Sequence, residues 1–316
     1  MYSYENYYKV KDEIEKRRLR AREEADARAD ELRALSPKIR EIDEELSGTS
    51  MLLFKTACNG GNLSSIKERN KKLVAARRAE IVRLGYPEDY TDVKYFCKAC
   101  SDTGYIDGTK LCSCLRKELI RATIQSSGIG DLIETQSFDN FDLECYNDNP
   151  EVYEKMKANL SIAKAYAQSF SKSSGNLLLT GKTGTGKTHI STAIAREVIH
   201  KGYDVLYDSI HNILSEFEAD KFSPPYSRSE PESSKYLECD LLIIDDLGTE
   251  FSTQFTVACI YNLINTRLNK GLSTIISTNL DSQSLADKYE GRILSRLLSK
   301  GTKVLSFVGK DKRIFR

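Results

Sequence analysis

One octapeptide limits what this chain of 316 residues can fold into. GKTGTGKT, Gly181 to Thr188, fits G-x-x-x-x-G-K-[ST] in full. An apolar strand-like run, NLLLT, precedes it, and a helix-patterned stretch, HISTAIAREVIH, follows. A glycine-rich turn between strand and helix lets successive backbone N–H groups face a phosphate, and the helix adds its positive N-terminal end. Gly181, Lys182, Thr183, Gly184, Thr185 and Gly186 would form the cradle. Lys187 would reach the β- and γ-phosphates of a nucleotide such as ATP, and the Thr188 hydroxyl would ligate Mg²⁺.

The chain around the octapeptide alternates helix and strand patterns from residue 151 to 316. NLLLT, YDVLYDS, LLIID, STIIST and TKVLSFVG read as short buried strands separated by helices, which implies a parallel sheet covered on both faces. LLIIDD ends in Asp245 and Asp246, at the strand end where open parallel sheets place their chemistry. Asp245 would hold Mg²⁺ through its water shell, and Asp246 would orient or deprotonate the attacking water. STIISTN ends in Thr278 and Asn279, polar groups suited to holding that water near the γ-phosphate. Arg292 and Arg296 lie four apart on a predicted helix and so share a face, pointing either to solvent or to a neighbouring nucleotide. An arginine supplied in trans raises phosphoryl-transfer rates by about 10³–10⁵. The tail KDKRIFR offers Arg313 and Arg316 to the phosphates. A guanine-specific reading rests on Asp245-Asp246-Leu247-Gly248 and on Thr278-Asn279-Leu280-Asp281, a motif echo that lacks its lysine.

Four of the eight cysteines, Cys97, Cys100, Cys112 and Cys114, fall in FCKACSDTGYIDGTKLCSC. Two close pairs separated by a short hairpin are what four thiolates need to surround one tetrahedral ion. Zn²⁺ is favoured, since nothing else in the chain suggests redox chemistry; an iron–sulfur centre, redox thiols or ordinary thiols are the alternatives. All-cysteine ligation argues for a closed, structural site. The chain has no apolar run of about eighteen residues that would span a membrane. Its beginning, MYSYENYYKVKDEIEK, lacks the apolar core of a secretory signal, so a cytoplasmic location is expected. The formal net charge of +1 supplies no global field for nucleic acid.

Residues 1–90 read as a helical arm for partner docking or a plain structural hairpin. Leu32, Leu35, Ile39, Ile42 and Leu46 line one helical face, with Ser36-Pro37 as a cap and first-turn proline. GTSMLLFKTACNGGN reads as a loop or short apolar insertion, and a second helix is expected near Ser65, with Glu68 completing a capping box. Residues 91–125 hold the cysteine module, 126–150 read as a turn-rich linker, and 151–316 as the nucleotide domain. FSPPYSRSEPESS reads as a mobile loop. Phe217, Lys221, Phe222, Tyr226 and Arg228 around it mix aromatics with cations, as single-strand binders do.

Taken together, GKTGTGKT, LLIIDDLGTE, ISTNL, the R-x-x-x-R helix and the basic tail resemble the AAA+ ATPases of bacterial helicase loading, the DnaC/DnaI type, and their IstB-type transposition relatives. The likeness covers about residues 138–316. It implies a P-loop AAA+ (ASCE) parallel-sheet ATPase domain, with Lys187 and Thr188 in Walker A, and Asp245 and Asp246 in Walker B. It further implies Asn279 as sensor 1, Arg296 as the arginine finger and Arg313 as sensor 2. With few residues after the last strand, no substantial helical lid is expected. In that family the N-terminal region grips the replicative DNA helicase, the ATPase domain contacts single-stranded DNA, and the domain self-associates. The expected function is therefore ATP-dependent helicase loading. A transposition helper is the alternative within the fold, and a nucleotide-switched, non-catalytic adaptor is the alternative of another class.

Overall fold

The computed structural model describes residues 2–58, 63–222, 231–289, 291–299 and 301–311. Residues 11–115 form one compact unit, and the described residues of 1–10 and 116–316 form the other. Among the described residues no helix is long and apolar enough to cross a membrane.

The first unit holds three helices, α1 (Tyr4–Leu35) from Lys11 onward, α2 (Pro37–Cys58) and α3 (Ser64–Arg83). Ser36 separates α1 from α2, and its hydroxyl accepts the Ile39 N–H at 3.4 Å, as a residue before a first-turn proline can. The pairs Lys38–Glu80, Asp43–Arg77 and Thr49–Asn70 run in opposite senses along α2 and α3, so the two helices are antiparallel. Leu32, Ile39 and Ile81 form a small buried core with Leu84, Tyr86 and Tyr90 against it. Three expectations are corrected. GTSMLLFKTAC is not a loop but continues α2 to Cys58, because nothing between Gly48 and Cys58 breaks the helix. α3 starts at Ser64 behind Leu63, with no side-chain cap bond, so the Ser65–Glu68 capping box is not formed. Leu35 faces solvent, unlike Leu32, Ile39 and Ile42 of its stripe, which are buried.

The cysteine segment folds around a hairpin of β1 (Tyr105–Ile106) and β2 (Lys110–Leu111). Asp107 and Gly108 take the positive φ values, 52° and 76°, that its tight turn requires.

The second unit is a three-layer α/β domain. Its elements are α4 (Ser113–Ser126), α5 (Leu132–Thr135), α6 (Pro150–Gln168), β3 (Leu177–Gly181), α7 (Lys187–His200), β4 (Val205–Ser209), α8 (Ile210–Phe222), α9 (Ser234–Glu238), β5 (Leu241–Leu247), α10 (Gln254–Asn269), β6 (Ser273–Thr278), α11 (Ser282–Lys288), α12 (Gly291–Leu297) and β7 (Lys303–Phe307). The five strands lie all-parallel in the order β4-β5-β6-β3-β7. β6 is thus inserted between the octapeptide strand β3 and the acidic strand β5, which is the ASCE arrangement expected from the sequence. Alternate strand residues feed opposite faces. Leu177, Leu179, Ile243, Ile275 and Leu305 pack with α6 and α7, while Leu178, Leu242, Ile244 and Ile276 pack with α8, α10 and α12. Residues 126–150 carry α5 and a 3₁₀ turn, Glu144–Tyr146, and bury Ile129, Ile133, Phe141 and Tyr146 against the first of these cores.

Candidate functional site

The carboxyl ends of β3, β5 and β6 open into one cleft of about 890 Å³, a volume that suits a nucleotide. Thr183, Gly184, Gly186, Lys187 and Thr188 line it together with Asp245, Asp246 and Asn279. Residues widely separated in the chain thus share one site because parallel strands all end on the same edge of the sheet.

The cradle depends on backbone shapes that only glycine adopts without strain. Gly181, Gly184 and Gly186 have φ values of 145°, 75° and 95°. A Cβ on Gly181 would lie 2.1 Å from the Phe307 carbonyl oxygen of the paired strand β7. Gly186 caps α7, so the first free N–H groups of that helix open into the cleft. Thr185 is buried and its hydroxyl donates to the Lys182 carbonyl at 2.7 Å.

Lys187 is almost wholly buried. Its ammonium donates to the carbonyls of Gly181 at 2.6 Å and Lys182 at 2.9 Å, and to Asn279 Oδ1 at 2.7 Å. The geometry therefore joins the lysine expected to grip phosphates directly to the asparagine expected beside the γ-phosphate. The Thr188 hydroxyl lies 3.5 Å from Asp245 Oδ2. A hydroxyl and a carboxylate at this spacing are hard oxygen donors that fit Mg²⁺, bound through one protein oxygen and water. Asp246 is exposed into the cleft and sits in the left-handed region, φ 56°, where β5 slips register against β6. Thr278, by contrast, is buried with its hydroxyl on the Leu247 carbonyl at 2.6 Å, and it holds the loop rather than the cleft.

The far wall comes from a segment that the sequence marks only as turn-rich. Leu132, Gln136, Asn140, Phe141, Cys145 and Tyr146 line it. Phe141 stacks on Tyr146 with ring centroids 6.0 Å apart and meets His189 edge-on at 5.1 Å. The Tyr146 hydroxyl donates to the Thr185 carbonyl at 3.0 Å, tying this wall to the cradle, and burial pushes its pKa well up. Two buried aromatics inside a run of turn formers, SFDNFDLECY, were the available signal. Lys310 also lines the cleft, paired with Asp148 at 3.1 Å.

The remaining expected residues lie elsewhere. Arg292 and Arg296 share α12, and neither lines the cleft. Arg296 is held against α10: its guanidinium donates to Asn265 Oδ1 and to the Tyr261 hydroxyl, each at 2.8 Å, and lies 4.4 Å over the Tyr261 ring. Arg313 and Arg316 fall outside the described residues, as do Tyr226 and Arg228. Lys221 stands over the rings of Phe222 and Phe255, and Phe222 is exposed. Asp281, the end of the guanine-motif echo, instead caps α11 by accepting the Ser284 N–H at 2.8 Å.

In the other unit, the thiols of Cys97, Cys100, Cys112 and Cys114 all lie within 4.8 Å of one another. That donor set fits a tetrahedral, all-thiolate ion such as Zn²⁺. Asp102, which the sequence reading missed, is buried beside it and accepts the N–H groups of Phe96 at 2.8 Å and Cys97 at 3.0 Å, and Arg17 at 2.9 Å. It shapes the first cysteine turn as outer partners of metal ligands do.

Residues 131–309, more than half of the chain, match the family described as IstB-like ATP binding protein. The chain belongs to this family. The matched span includes the cleft's far wall from Leu132 onward as well as both motif strands. Among curated relatives of this IstB-like chain is the replicative helicase loader DnaC of Escherichia coli (strain K12). The two are 27% identical over 178 residues, covering 56% of this chain and 69% of DnaC. DnaC of Buchnera aphidicola subsp. Baizongia pistaciae is 27% identical over 171 residues, 54% of this chain and 66% of that one. Among solved structures, the DnaC helicase loader superposes with a TM-score of 0.49 at 19% identity, covering 56% of this chain and 98% of that chain. DnaI gives 0.46 at 21% identity, covering 59% and 95%.

Proposed function

We propose that this IstB-like chain is an ATPase that loads a replicative DNA helicase. The observation that carries the reading is the cleft itself, which brings a complete phosphate cradle, two strand-end carboxylates and Asn279 to one place. The DnaC relatives support the choice of partner.

Bound ATP would lie with its phosphates on the N–H groups of residues 183–188 and its base toward Phe141 and Tyr146. Lys187 already has hydrogen-bond partners at Gly181, Lys182 and Asn279. Turning its ammonium to the phosphates exchanges some of those bonds for charge-assisted ones and frees the Asn279 amide to meet the attacking water. Thr188 and Asp245 would hold Mg²⁺, which when bound neutralises charge on the β- and γ-phosphates. Asp246, exposed to the cleft, would accept the water's proton. Arg296, outside its own cleft and pre-aimed by Tyr261 and Asn265, would complete the site of a neighbouring copy. Arg292 and the tail residues Arg313 and Arg316 are the other candidate phosphate contacts. The helical arm and a Zn²⁺-bound cysteine module would engage the helicase, and the surface near Lys221 and Phe222 would meet single-stranded DNA.

The test is co-purification of the full chain with a replicative helicase, together with helicase transfer onto single-stranded DNA. Lys187→Ala should abolish ATP hydrolysis and transfer. Undiminished transfer by that variant refutes the motor reading, and capture of a transposase instead supports the IstB-type helper. Arg296→Ala should retain ATP binding and lose hydrolysis; mixing it with Asp245→Asn should restore activity in mixed assemblies.

A further inference from the structure

Asp245 has more hydrogen-bond partners than its motif supplies. On one side, the Ser277 hydroxyl at the end of β6 donates to Asp245 Oδ1. The same hydroxyl accepts the Asp246 N–H at 3.0 Å, where β5 slips register. On the other side, the Tyr207 hydroxyl on β4 donates to Asp245 Oδ2, the oxygen that also lies 3.5 Å from the Thr188 hydroxyl. Ser277 is fully buried, a costly place for a hydroxyl that makes no bond. Neither residue belongs to the phosphate loop or to the acidic strand, and neither lines the cleft.

We propose that Tyr207 and Ser277 are positioning residues that fix the carboxylate plane of Asp245 for a divalent cation bound with ATP. The inference rests on the nucleotide reading given above. An aspartate side chain turns readily about its last bond. Donors on both of its oxygens hold one orientation before the metal arrives, so less ordering remains to be done on binding. Ser277 adds a second effect: it ties the pose of Asp245 to that of Asp246, whose left-handed backbone aims its carboxylate into the cleft.

The test uses the full chain and a fluorescent ATP analogue, titrated once in EDTA and once against rising Mg²⁺. Tyr207→Phe keeps the ring and its packing; Ser277→Ala removes one small group. Each should leave affinity in EDTA within about twofold and raise the Mg²⁺ midpoint by about tenfold, as loss of an outer partner of a metal ligand does. An unchanged Mg²⁺ midpoint in both variants overturns the proposal. Equal loss of affinity with and without metal also overturns it, since that is what a purely structural role would give. If the wild-type chain shows no metal-dependent ATP binding, the nucleotide reading itself fails; normal wild-type binding with unaffected variants removes only the role of these two hydroxyls.

Discussion

Gly186→Ala tests how the far wall of the cleft is locked to the phosphate cradle. Gly186 has φ 95°, so a side chain there costs about 1–2 kcal/mol from backbone strain alone. The added Cβ would also stand 2.8 Å from the Tyr146 hydroxyl and 3.1 Å from Phe141 Cε2. The hydroxyl must move, and its 3.0 Å bond to the Thr185 carbonyl is lost. A buried acceptor left unpaired costs about 1–3 kcal/mol. The two losses together put Gly186→Ala at about 2–5 kcal/mol, with a loss of ATP affinity as well. Tyr146→Phe alone removes the same bond without the strain and should cost about 1–3 kcal/mol. The double variant should therefore cost less than the sum of its parts by about 1–3 kcal/mol, because the bond is then lost only once and the hydroxyl that collides is already gone. Urea unfolding followed by far-UV circular dichroism gives the stabilities, and binding of a fluorescent ATP analogue gives the affinities. Strict additivity, or wild-type stability in Gly186→Ala, would show that the wall and cradle are not in contact and refute the reasoning.

Purified protein should carry about one zinc per chain, lost in the double variant Cys97→Ser with Cys100→Ser; zinc-free wild-type protein, or zinc retained in the variant, counts against the site. Structural zinc contributes an apparent 10–16 kcal/mol or so, so chelation should expose residues 97–114 to protease. In the helical arm, Arg83 foremost, together with Lys38, holds the Glu80 carboxyl down from 4.5 to about 2. A depressed carboxylate pKa stabilises the native state above the unfolded value and loses that contribution as pH falls through the folded one. Glu80→Gln should therefore lower the thermal midpoint at pH 7, with the deficit shrinking as pH falls from about 4.5 toward 2. An equal deficit at pH 7 and pH 2 would mean that the charge is not what matters.

How far the sequence reaches depends on whether the information is local. The cradle, the acidic strand end and the cysteine pairs are each contained in a short window, so their chemistry is visible before any folding. The strands are visible too, because β-branched and leucine runs between helices leave few other choices. What a window cannot contain is the neighbour that register brings. Ser209 lies opposite Asp245 on β4, which puts Tyr207 two residues away along that strand and within reach of the carboxylate. Ser277 reaches Asp245 and Asp246 only because β6 lies beside β5. The same limit explains the far wall. SFDNFDLECY has the turn formers of a loop, and its composition is that of one. Phe141 and Tyr146 become wall residues because Gly186, far along the chain, leaves the space that their rings fill. In the motif, Gly186 offers a phosphate its backbone freedom. Its missing Cβ has a second use, since it lets an aromatic wall close against the cradle, and a substitution there should disturb both contacts at once.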